Sequence, residues 1–411
     1  MSKSILFTNA SIVDGTADRP QGGMSVLVEG ERIREVAEGP IATQAQAIDL
    51  AGRTLMPGLI DCHVHVIACL PNLGQNALLP DSLVAARSAH ILHGMLMRGF
   101  TTVRDLGGAD IGLVQAVEEG AFLGPRLVIC GKALSQTGGH TDFRGRYDTR
   151  DRHAFDRKLG SLGRLCDGVD EVRRACREEI KAGATFIKIM ANGGVASPTD
   201  PIAFFGFSRD EIAAAVEEAA SAQTYVAAHL YTDEAIRRAV ELGVRSVEHC
   251  NLVKPDTARL MAERGAVAVP TLVTYEALKE EGAALGLPAE SVAKIDDVRL
   301  AGLESLGILK EAGVPMAYGS DLLGPMHRRQ SEEFAIRGRA LPAHEVIRSA
   351  TADAAALLRM EGQVGCIAPG AYADLVVVDG DPLADLSVLA EQSRMPAVMK
   401  NGRFVKNDLN A

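Results

Sequence analysis

The sequence lacks an excess of positive charge. Its 43 Lys and Arg residues are outnumbered by 53 Asp and Glu residues, which gives a formal net charge of −10. A chain of that charge is a poor match to a phosphate backbone, so we expect no nucleic-acid binding. Long apolar runs are also missing, and the N-terminal segment enters alternating apolar positions after a single Lys. We therefore expect no signal peptide, no contact with a membrane and a cytoplasmic location.

Paired cysteine motifs are absent too. The seven cysteines are scattered along the chain without a CxxC pair, and their number is odd. This pattern predicts reduced thiols and argues against a disulfide framework. Cys62 and Cys250 adjoin two histidines considered below. Because neighbouring side chains on a strand point to opposite faces, both cysteines are expected to pack in the core.

What the sequence does contain is a series of short apolar segments. We count eight of them, and in chain order they are GLIDCHVHV, TTVRDL, RLVICGKAL, ATFIKIMA, TYVAAHLY, VRSVEHC, AVAVPTLV and VPMAYGSDL. Stretches with helical spacing, such as RDEIAAAVEEAASA and TDEAIRRAVELG, lie between them, which is typical of parallel strands joined by crossover helices. The pattern predicts an α/β fold with a (β/α)8 TIM barrel, and 411 residues leave room for a smaller module.

The smaller module is predicted from the two ends of the chain. Residues 1–56 and 361–411 both contain short alternating segments separated by Gly, Pro and Asp, among them SVLVEGERIREV and ADLVVVDGDP. We expect these ends to pair into one small β-sandwich domain, which leaves residues 57–360 for the catalytic barrel. The segment SQTGGHTDFRGRYDTRDRH is expected to form a functional loop over the barrel mouth.

Potential metal ligands lie at the ends of several apolar segments. His63 and His65 are separated by one residue, so their side chains leave the strand on the same face. His229, His249 and Asp321 end three later segments, at the rim where barrel enzymes place their chemistry. The alternative at each position is a structural histidine or a helix-capping aspartate. Their coincidence at strand ends favours a single metal site.

Lys188 is expected to point into the barrel, because alternation in FIKIM places it opposite Ile187 and Ile189. A bare ammonium in that position is costly. The side chain can reach water or pair with an acid. It can also, as the neutral amine, add carbon dioxide to give a carbamate, whose two oxygens are able to bridge two cations.

This arrangement resembles the amidohydrolase superfamily, in which HxH lies on strand one, a carboxylated Lys on strand four, His on strands five and six, and Asp on strand eight. The resemblance implies two divalent ions, with His63, His65 and Asp321 on one, His229 and His249 on the other, and N6-carboxylysine at Lys188 between them. Ligation rich in imidazole favours zinc, although manganese, cobalt or iron suit such a site. A metal-bridged hydroxide would attack the substrate, and Asp321 would pass its proton to the leaving amine.

Four further residues are candidates for substrate contact. Tyr231 lies two residues beyond His229 on the same strand face, where it could donate to an oxyanion. His140 follows two glycines in the long loop over the predicted mouth, where it could contact the polar end of the substrate. Arg328 and Arg329 follow Asp321 and could bind a carboxylate. The alternatives are a rim tyrosine, an exposed loop histidine and a solvated helix face.

The segments IMANGGVASPTDP and GSDLLGPMHRRQSEEF most resemble the Xaa-Pro dipeptidase (prolidase) and metal-dependent carboxypeptidase-like branch. That likeness implies cleavage of Xaa-Pro-like dipeptides or N-acyl amino acids, and homo-oligomers are frequent in the superfamily. Alternative substrates are N-acyl aromatic amino acids, including ochratoxin-type amides, and cyclic amides, lactones or esters. A deaminase or imidazolone-type ring hydrolase commonly uses one metal, so Lys188 argues against it. A non-catalytic, dihydropyrimidinase-like assembly protein would have lost ligands that this chain keeps.

Overall fold

The computed structural model describes residues 4–197 and 199–409, so Pro198 and the outermost residues of both predicted terminal segments lie outside it. The chain alternates strands with helices over most of its length. The strands are β1 Ile5–Ile12, β2 Gln21–Glu29, β3 Arg32–Glu38, β4 Gln46–Asp49, β5 Thr54–Pro57, β6 Leu59–Val64, β7 Phe100–Asp105, β8 Arg126–Ile129, β9 Ala133–Ser135, β10 Gly163–Leu165, β11 Ile187–Met190, β12 Val226–Thr232, β13 Ser246–Leu252, β14 Val267–Val269, β15 Leu375–Val378, β16 Ala397–Lys400 and β17 Arg403–Asn407.

Helices occupy most of the intervals between the central strands. They are α1 Leu73–Ala77, α2 Asp81–Met97, α3 Ile111–Glu118, α4 Val169–Lys181, α5 Arg209–Ser221, α6 Asp233–Glu241, α7 Pro255–Glu263, α8 Leu272–Ala277, α9 Ala289–Arg299, α10 Gly302–Glu311, α11 Glu332–Arg337, α12 Ala343–Ser349 and α13 Ala352–Leu357. A π-helical turn, Leu278–Gly282, continues α8. The predicted helix α5 begins with a capping box between Ser208 and Glu211. Among the described residues, no helix combines the length and apolar character needed to cross a bilayer.

The two ends of the chain form one eight-stranded sheet. Its order is β17-β16-β15-β5-β1-β2-β3, with β4 alongside β1. The N-terminal and C-terminal parts meet where β5 pairs antiparallel with β15. Inward-facing residues from both parts, including Phe7, Val28, Val377 and Met399, pack into one buried apolar cluster. Alternation along these strands therefore directs one face of the module to its own core.

The central strands are parallel and form two sheets. One has the order β6-β7-β8 and the other β10-β9-β11-β12-β13-β14. Backbone hydrogen bonds cross both gaps between the sheets. On one side Thr185 donates to Ile129 over 2.9 Å, and on the other Ala317 donates to Ala268 over 2.9 Å while Cys62 donates to Tyr318 over 2.7 Å. The carboxyl ends of β6, β11, β12 and β13 consequently face a common region.

Two of the eight predicted strands differ from the expectation. The third segment, RLVICGKAL, is divided into β8 and β9, because Gly131 between them has a φ of +68°, which interrupts an extended strand. The eighth segment, VPMAYGSDL, makes only an isolated bridge between Met316 and Ala268. Its other backbone partners belong to separate segments, since Tyr318 donates to Ser349 and Asp321 to His63. The long loop also contributes an unpredicted strand, β10.

Candidate active site

All six predicted ligands line one cavity at the carboxyl ends of the central strands. His63 lies in β6 and His65 follows its end, while Lys188, His229 and His249 lie in β11, β12 and β13. Asp321 enters from the eighth segment. Sequence positions up to 258 residues apart are therefore brought together, as the strand assignment predicted.

Two of the histidines converge on the carboxylate of Asp321. The Nε2 atoms of His63 and His65 lie 3.4 and 3.3 Å from the same oxygen, Oδ1 of Asp321. One ligand atom each from His63, His249 and Asp321 can be chosen so that all three lie within 4.8 Å of one another, which suits a metal ion. The histidine side chains are almost fully buried, whereas Asp321 is 19% exposed toward the cavity.

The other two histidines face each other. Nδ1 of His229 lies 2.8 Å from Nε2 of His249, and the ring centroids are 4.6 Å apart. The backbone oxygen of Gly193, 3.3 Å from Nε2 of His229, can only accept a hydrogen bond. In a neutral ring the hydrogen is then on Nε2, and Nδ1 of His229 carries a lone pair that points at His249. Such a lone pair is stabilised by a proton on the facing nitrogen or by a cation.

Every outward-facing ring nitrogen has a hydrogen-bond partner. Nδ1 of His63 contacts Glu248 at 2.9 Å, and Nδ1 of His65 contacts the backbone oxygen of Gly107 at 3.1 Å. Nδ1 of His249 contacts Thr271 at 2.8 Å. Partners of this kind fix the ring orientation and the tautomer of metal-binding histidines. The inner nitrogens of all four rings are thereby directed toward the cavity.

Lys188 is buried, and its Nζ has no hydrogen-bond partner among the described residues. Burial lowers the pKa of Lys188 to about 8, even though Glu248 attracts the charged form. Within the described part of the chain neither of the ordinary alternatives is present, because the buried ammonium reaches no water-exposed surface and hydrogen-bonds to no acid. The unsatisfied amine is the observation that fits a carbamate at this position.

The electrostatics of Asp321 are dominated by the surrounding rings. Burial alone disfavours its charged form, but His63 and His65 together hold the pKa of Asp321 well below its usual range. Burial, with neighbouring positive groups, lowers the pKa of His229 and His249, so both rings are neutral. Asp321 also has a φ of +50°, a left-handed conformation that non-glycine residues rarely adopt.

The loop histidine and the strand tyrosine both enter the cavity. The ring of His140 stacks on His229 with centroids 4.1 Å apart, and its Nδ1 contacts the Ser197 hydroxyl at 2.9 Å. His140 is therefore not an exposed loop residue. Tyr231 is not a rim tyrosine in water either, because it is buried and its hydroxyl lies 2.9 Å from that of Tyr275. Val195 and Ala196, from the segment after Lys188, also line the cavity.

Comparison with known proteins identifies the family. Residues 54–405 match the Amidohydrolase family. The chain belongs to this family. It is similar to a solved prolidase complexed with N-methylphosphonate-L-proline, at 53% identity and a TM-score of 0.97, over 98% of this chain and 100% of that one. A solved Xaa-Pro dipeptidase with bound methionine is 30% identical, with a TM-score of 0.87, over 98% of this chain and 100% of that one.

A curated relative comes from a fungus. Ochratoxinase of Aspergillus niger is 32% identical over 364 residues, which cover 86% of this chain and 75% of that protein. The family membership and these relatives make the chain a hydrolytic enzyme that acts on amide bonds, as the sequence predicted. The His and Asp cluster is consistent with the metal dependence expected of an amidohydrolase.

The two predicted arginines do not reach the cavity of this amidohydrolase. Arg328 pairs with Glu281 at 2.7 Å, and its side chain is 58% exposed. Arg329 pairs with Glu280 and Glu332, both at 2.8 Å. Their charges are neutralised by the π-helical turn and by α11, so in this structure both arginines are engaged in ion pairs instead of pointing toward a substrate carboxylate. Neither residue is among those that line the cavity.

Sequence reasoning missed a buried ion pair behind the amidohydrolase site. Glu248, adjacent to His249, contacts His63, accepts from the Ser246 hydroxyl at 2.6 Å and receives Nη2 of Arg104 at 2.8 Å. Both charged side chains are completely buried. The attraction of Arg104 outweighs burial and holds the pKa of Glu248 far below its usual range. The sequence did place an acid next to a strand-end histidine, but alternation on a regular strand would direct that acid to the opposite face.

Proposed function

We propose that this amidohydrolase cleaves the amide bond of dipeptides or N-acyl amino acids that carry a free carboxylate, with Xaa-Pro dipeptides as the first substrate class. The observation that carries the proposal is the cavity itself, which gathers four histidines, Lys188 and Asp321. The 53% identical prolidase complexed with a phosphonate of proline supports the prolyl assignment. A phosphonate imitates the tetrahedral state of amide hydrolysis, so its binding in a relative favours this chemistry.

The proposed architecture behind this site is a closed (β/α)8 barrel. Residues 57–360 would form it, and residues 1–56 and 361–411 would form the small β-sandwich domain. The backbone hydrogen bonds from Thr185 to Ile129 and from Ala317 to Ala268 support closure on both sides. The eighth segment, although irregular, occupies the place of the last strand between β14 and β6.

Two divalent ions, with zinc as the first choice, fit the residues present. His63, His65 and Asp321 would hold one ion, and His229 and His249 the other. Lys188, after addition of carbon dioxide to its neutral amine and loss of a proton, would bridge them as a carbamate. Three features support this fit: the convergent Nε2 atoms, the facing nitrogens of His229 and His249, and the partnerless Lys188 Nζ.

Bound ions of this kind would acidify a water and polarise the scissile carbonyl. Asp321, the most exposed member of the cluster, would take a proton from the attacking water at a carboxylate oxygen and pass it to the leaving nitrogen. Tyr231 would donate its hydroxyl hydrogen to the oxygen on which negative charge develops. His140 would contact the polar end of the substrate from the opposite side of His229.

The experiment is a screen of free amino acid release by protein purified with zinc and bicarbonate, with bound metal counted in the same sample. Xaa-Pro dipeptides and N-acyl amino acids are compared with the same compounds carrying a C-terminal carboxamide. We expect two metals per chain and cleavage only of the free acids. Equal cleavage of the carboxamides would contradict the role of the carboxylate, and protein without metal would contradict the site.

A second candidate function is hydrolysis of N-acyl aromatic amino acids of the ochratoxin type. It is supported by the ochratoxinase relative and by apolar residues around the cavity, among them Leu73, Phe143 and Leu278. Such a surface suits an aromatic group. Release of phenylalanine from N-acyl substrates at a higher kcat/KM than release of proline from Xaa-Pro would favour this candidate.

A further inference from the structure

Tyr275 is a buried side chain that connects two parts of the site. It lies in α8, and 1% of its surface is exposed. Its hydroxyl lies 2.9 Å from the hydroxyl of Tyr231 and 3.1 Å from Nδ1 of His249. The same nitrogen of His249 also contacts the Thr271 hydroxyl at 2.8 Å. A hydrogen-bonded chain therefore runs from His249 through Tyr275 to Tyr231.

The direction of this chain depends on what His249 holds at its other nitrogen. If Nε2 of His249 ligates a cation, the neutral ring carries its hydrogen on Nδ1. Nδ1 then donates to the hydroxyls of Thr271 or Tyr275 and cannot accept from them. The single hydrogen of Tyr275 is then left for the oxygen of Tyr231, which lies 2.9 Å away.

The consequence concerns the hydrogen of Tyr231. The Tyr231 hydroxyl has one hydrogen. Because its oxygen already accepts a hydrogen bond from Tyr275, the hydrogen of Tyr231 points away from Tyr275. Tyr231 lines the cavity between His229 and His249, whose ring centroids lie 4.8 and 4.9 Å from its own. Its hydrogen is thus presented to the cavity. Accepting one hydrogen bond also makes a hydroxyl a stronger donor of the next.

We propose that Tyr275 is a positioning residue that orients the Tyr231 hydroxyl as a donor toward the substrate carbonyl. This inference rests on the proposed function and deepens it. The ligand of the oriented hydroxyl is the tetrahedral oxyanion of an amide, or a phosphonate that imitates it. Tyr275 does not itself contact the reacting atoms. A merely structural Tyr275 would fill space in the apolar cluster that it shares with Leu272 and Leu278.

The test is a double-mutant cycle of Tyr275→Phe and Tyr231→Phe, since each substitution removes one hydroxyl and keeps the ring. For an Xaa-Pro substrate, Tyr231→Phe is expected to lower kcat about 100-fold, within the range for loss of one oxyanion donor. Tyr275→Phe is expected to lower kcat about 10-fold with KM nearly unchanged. In the Tyr231→Phe background, Tyr275→Phe should cost less than about 2-fold, because the hydroxyl that it orients is gone.

Binding supplies a second measurement that does not depend on turnover. Calorimetric titration of the metal-loaded protein with N-methylphosphonate-L-proline should show about 10-fold weaker binding in Tyr275→Phe, whereas L-proline, which lacks the tetrahedral group, should bind equally well. Tyr318→Phe is the matched control. It removes another buried hydroxyl, which donates to the backbone oxygen of Gln330 over 2.6 Å outside the cavity. It should change neither kcat nor phosphonate binding.

Three results would overturn the inference. Additive effects in the cycle would mean that Tyr275 does not act through Tyr231. Loss of bound metal in Tyr275→Phe would assign the residue to His249 alone. Equal weakening of phosphonate and proline binding would indicate a general disturbance of the cavity. Failure of the proposed function is distinguishable, because the wild-type protein would then release no amino acid from any amide, and the inference would fall with it.

Discussion

The Glu248→Gln substitution removes the charge of the buried acid behind the site and keeps its shape. Among the residues that the structure describes, Glu248 is the one carboxylate that contacts the Arg104 guanidinium. The other partners of Arg104 are the backbone oxygen of Cys62 and the hydroxyls of Tyr225 and Ser246. Breaking a fully buried pair on one side costs about 3–5 kcal/mol, because the remaining charge is left uncompensated. The glutamine oxygen still accepts one hydrogen bond, so we expect the lower end, about 3 kcal/mol of the free energy of unfolding.

The same substitution should weaken metal binding. The Glu248 carboxylate accepts from Nδ1 of His63 over 2.9 Å and keeps Nε2 directed at Asp321. Loss of such a partner typically lowers metal affinity about 10- to 100-fold. Urea unfolding of the metal-free protein measures the first effect, and competition with a chromogenic chelator measures the second.

Glu179→Gln is the matched control for this experiment. Glu179 is a buried acid of α4 that pairs with Arg164 at 3.1 Å, away from the cavity. The Glu179→Gln protein should be less stable than the wild type and should keep the metal affinity of the wild type. If Glu248→Gln behaves in the same way, the assignment of Glu248 as the partner that orients His63 is refuted. If it retains full stability, the ion pair does not have the cost assigned to it.

Four further outcomes are expected. Lys188→Ala should abolish binding of the second metal and lower turnover at least about 100-fold, as counted by metal analysis beside a rate assay, and retained full activity would contradict a bridging lysine. Asp321→Asn should suppress kcat by about 100-fold or more while a phosphonate analogue still binds measurably; equal losses of both would point to a ligand without a proton-transfer role. His140→Ala should raise KM for free acids about 10-fold or more, and unchanged kinetics would exclude it from the substrate site. Arg328→Ala should leave kcat/KM within about 2-fold, since its exposed pair with Glu281 contributes about 1 kcal/mol or less; a large increase in KM would restore the arginine to the carboxylate site.

Some elements could be predicted because local rules decide them. The positions of β12 and β13 follow from short apolar runs between helical stretches, and their histidines lie where those runs end. His63 and His65 share a face because alternation has a period of two. The pairing of the chain ends was likewise visible in two matching sets of alternating segments. Each of these predictions depends on residues that are close together in sequence.

Glu248 shows where alternation stops being a guide. On a regular strand, Glu248 and His249 would point to opposite faces, so an acid beside His249 would not be expected behind the same site. In the structure His249 has a φ of +73° and Cys250 a φ of +60°, and the pairing of β12 with β13 shifts register here. This local bulge lets the two neighbouring side chains serve one centre. The residue types in this segment do not predict such a bend.

The arginines and the irregular eighth segment depend on distant partners. Glu280 and Glu281 neutralise Arg328 and Arg329 from positions 47 to 49 residues away, and no local pattern pairs them. The residue pattern of the eighth segment predicts an extended strand. In the structure, however, Gly319 lies so close to His63 and Val269 that an added Cβ would stand 2.9 and 2.8 Å from their side chains. Close packing across the centre, and not strand propensity, determines its path.

The sequence by itself determined the types of the candidate ligands and the apolar segment at whose end each lies, because periodicity can be read from residues that are close together in the chain. The tertiary structure alone decided which groups surround those ligands. The orphaned amine of Lys188, the Arg104 and Glu248 pair and the chain through Tyr275 all arise between segments far apart in sequence. Hydrogen bonds and desolvation act over a few ångströms in space, so they become defined only when the fold brings those segments together.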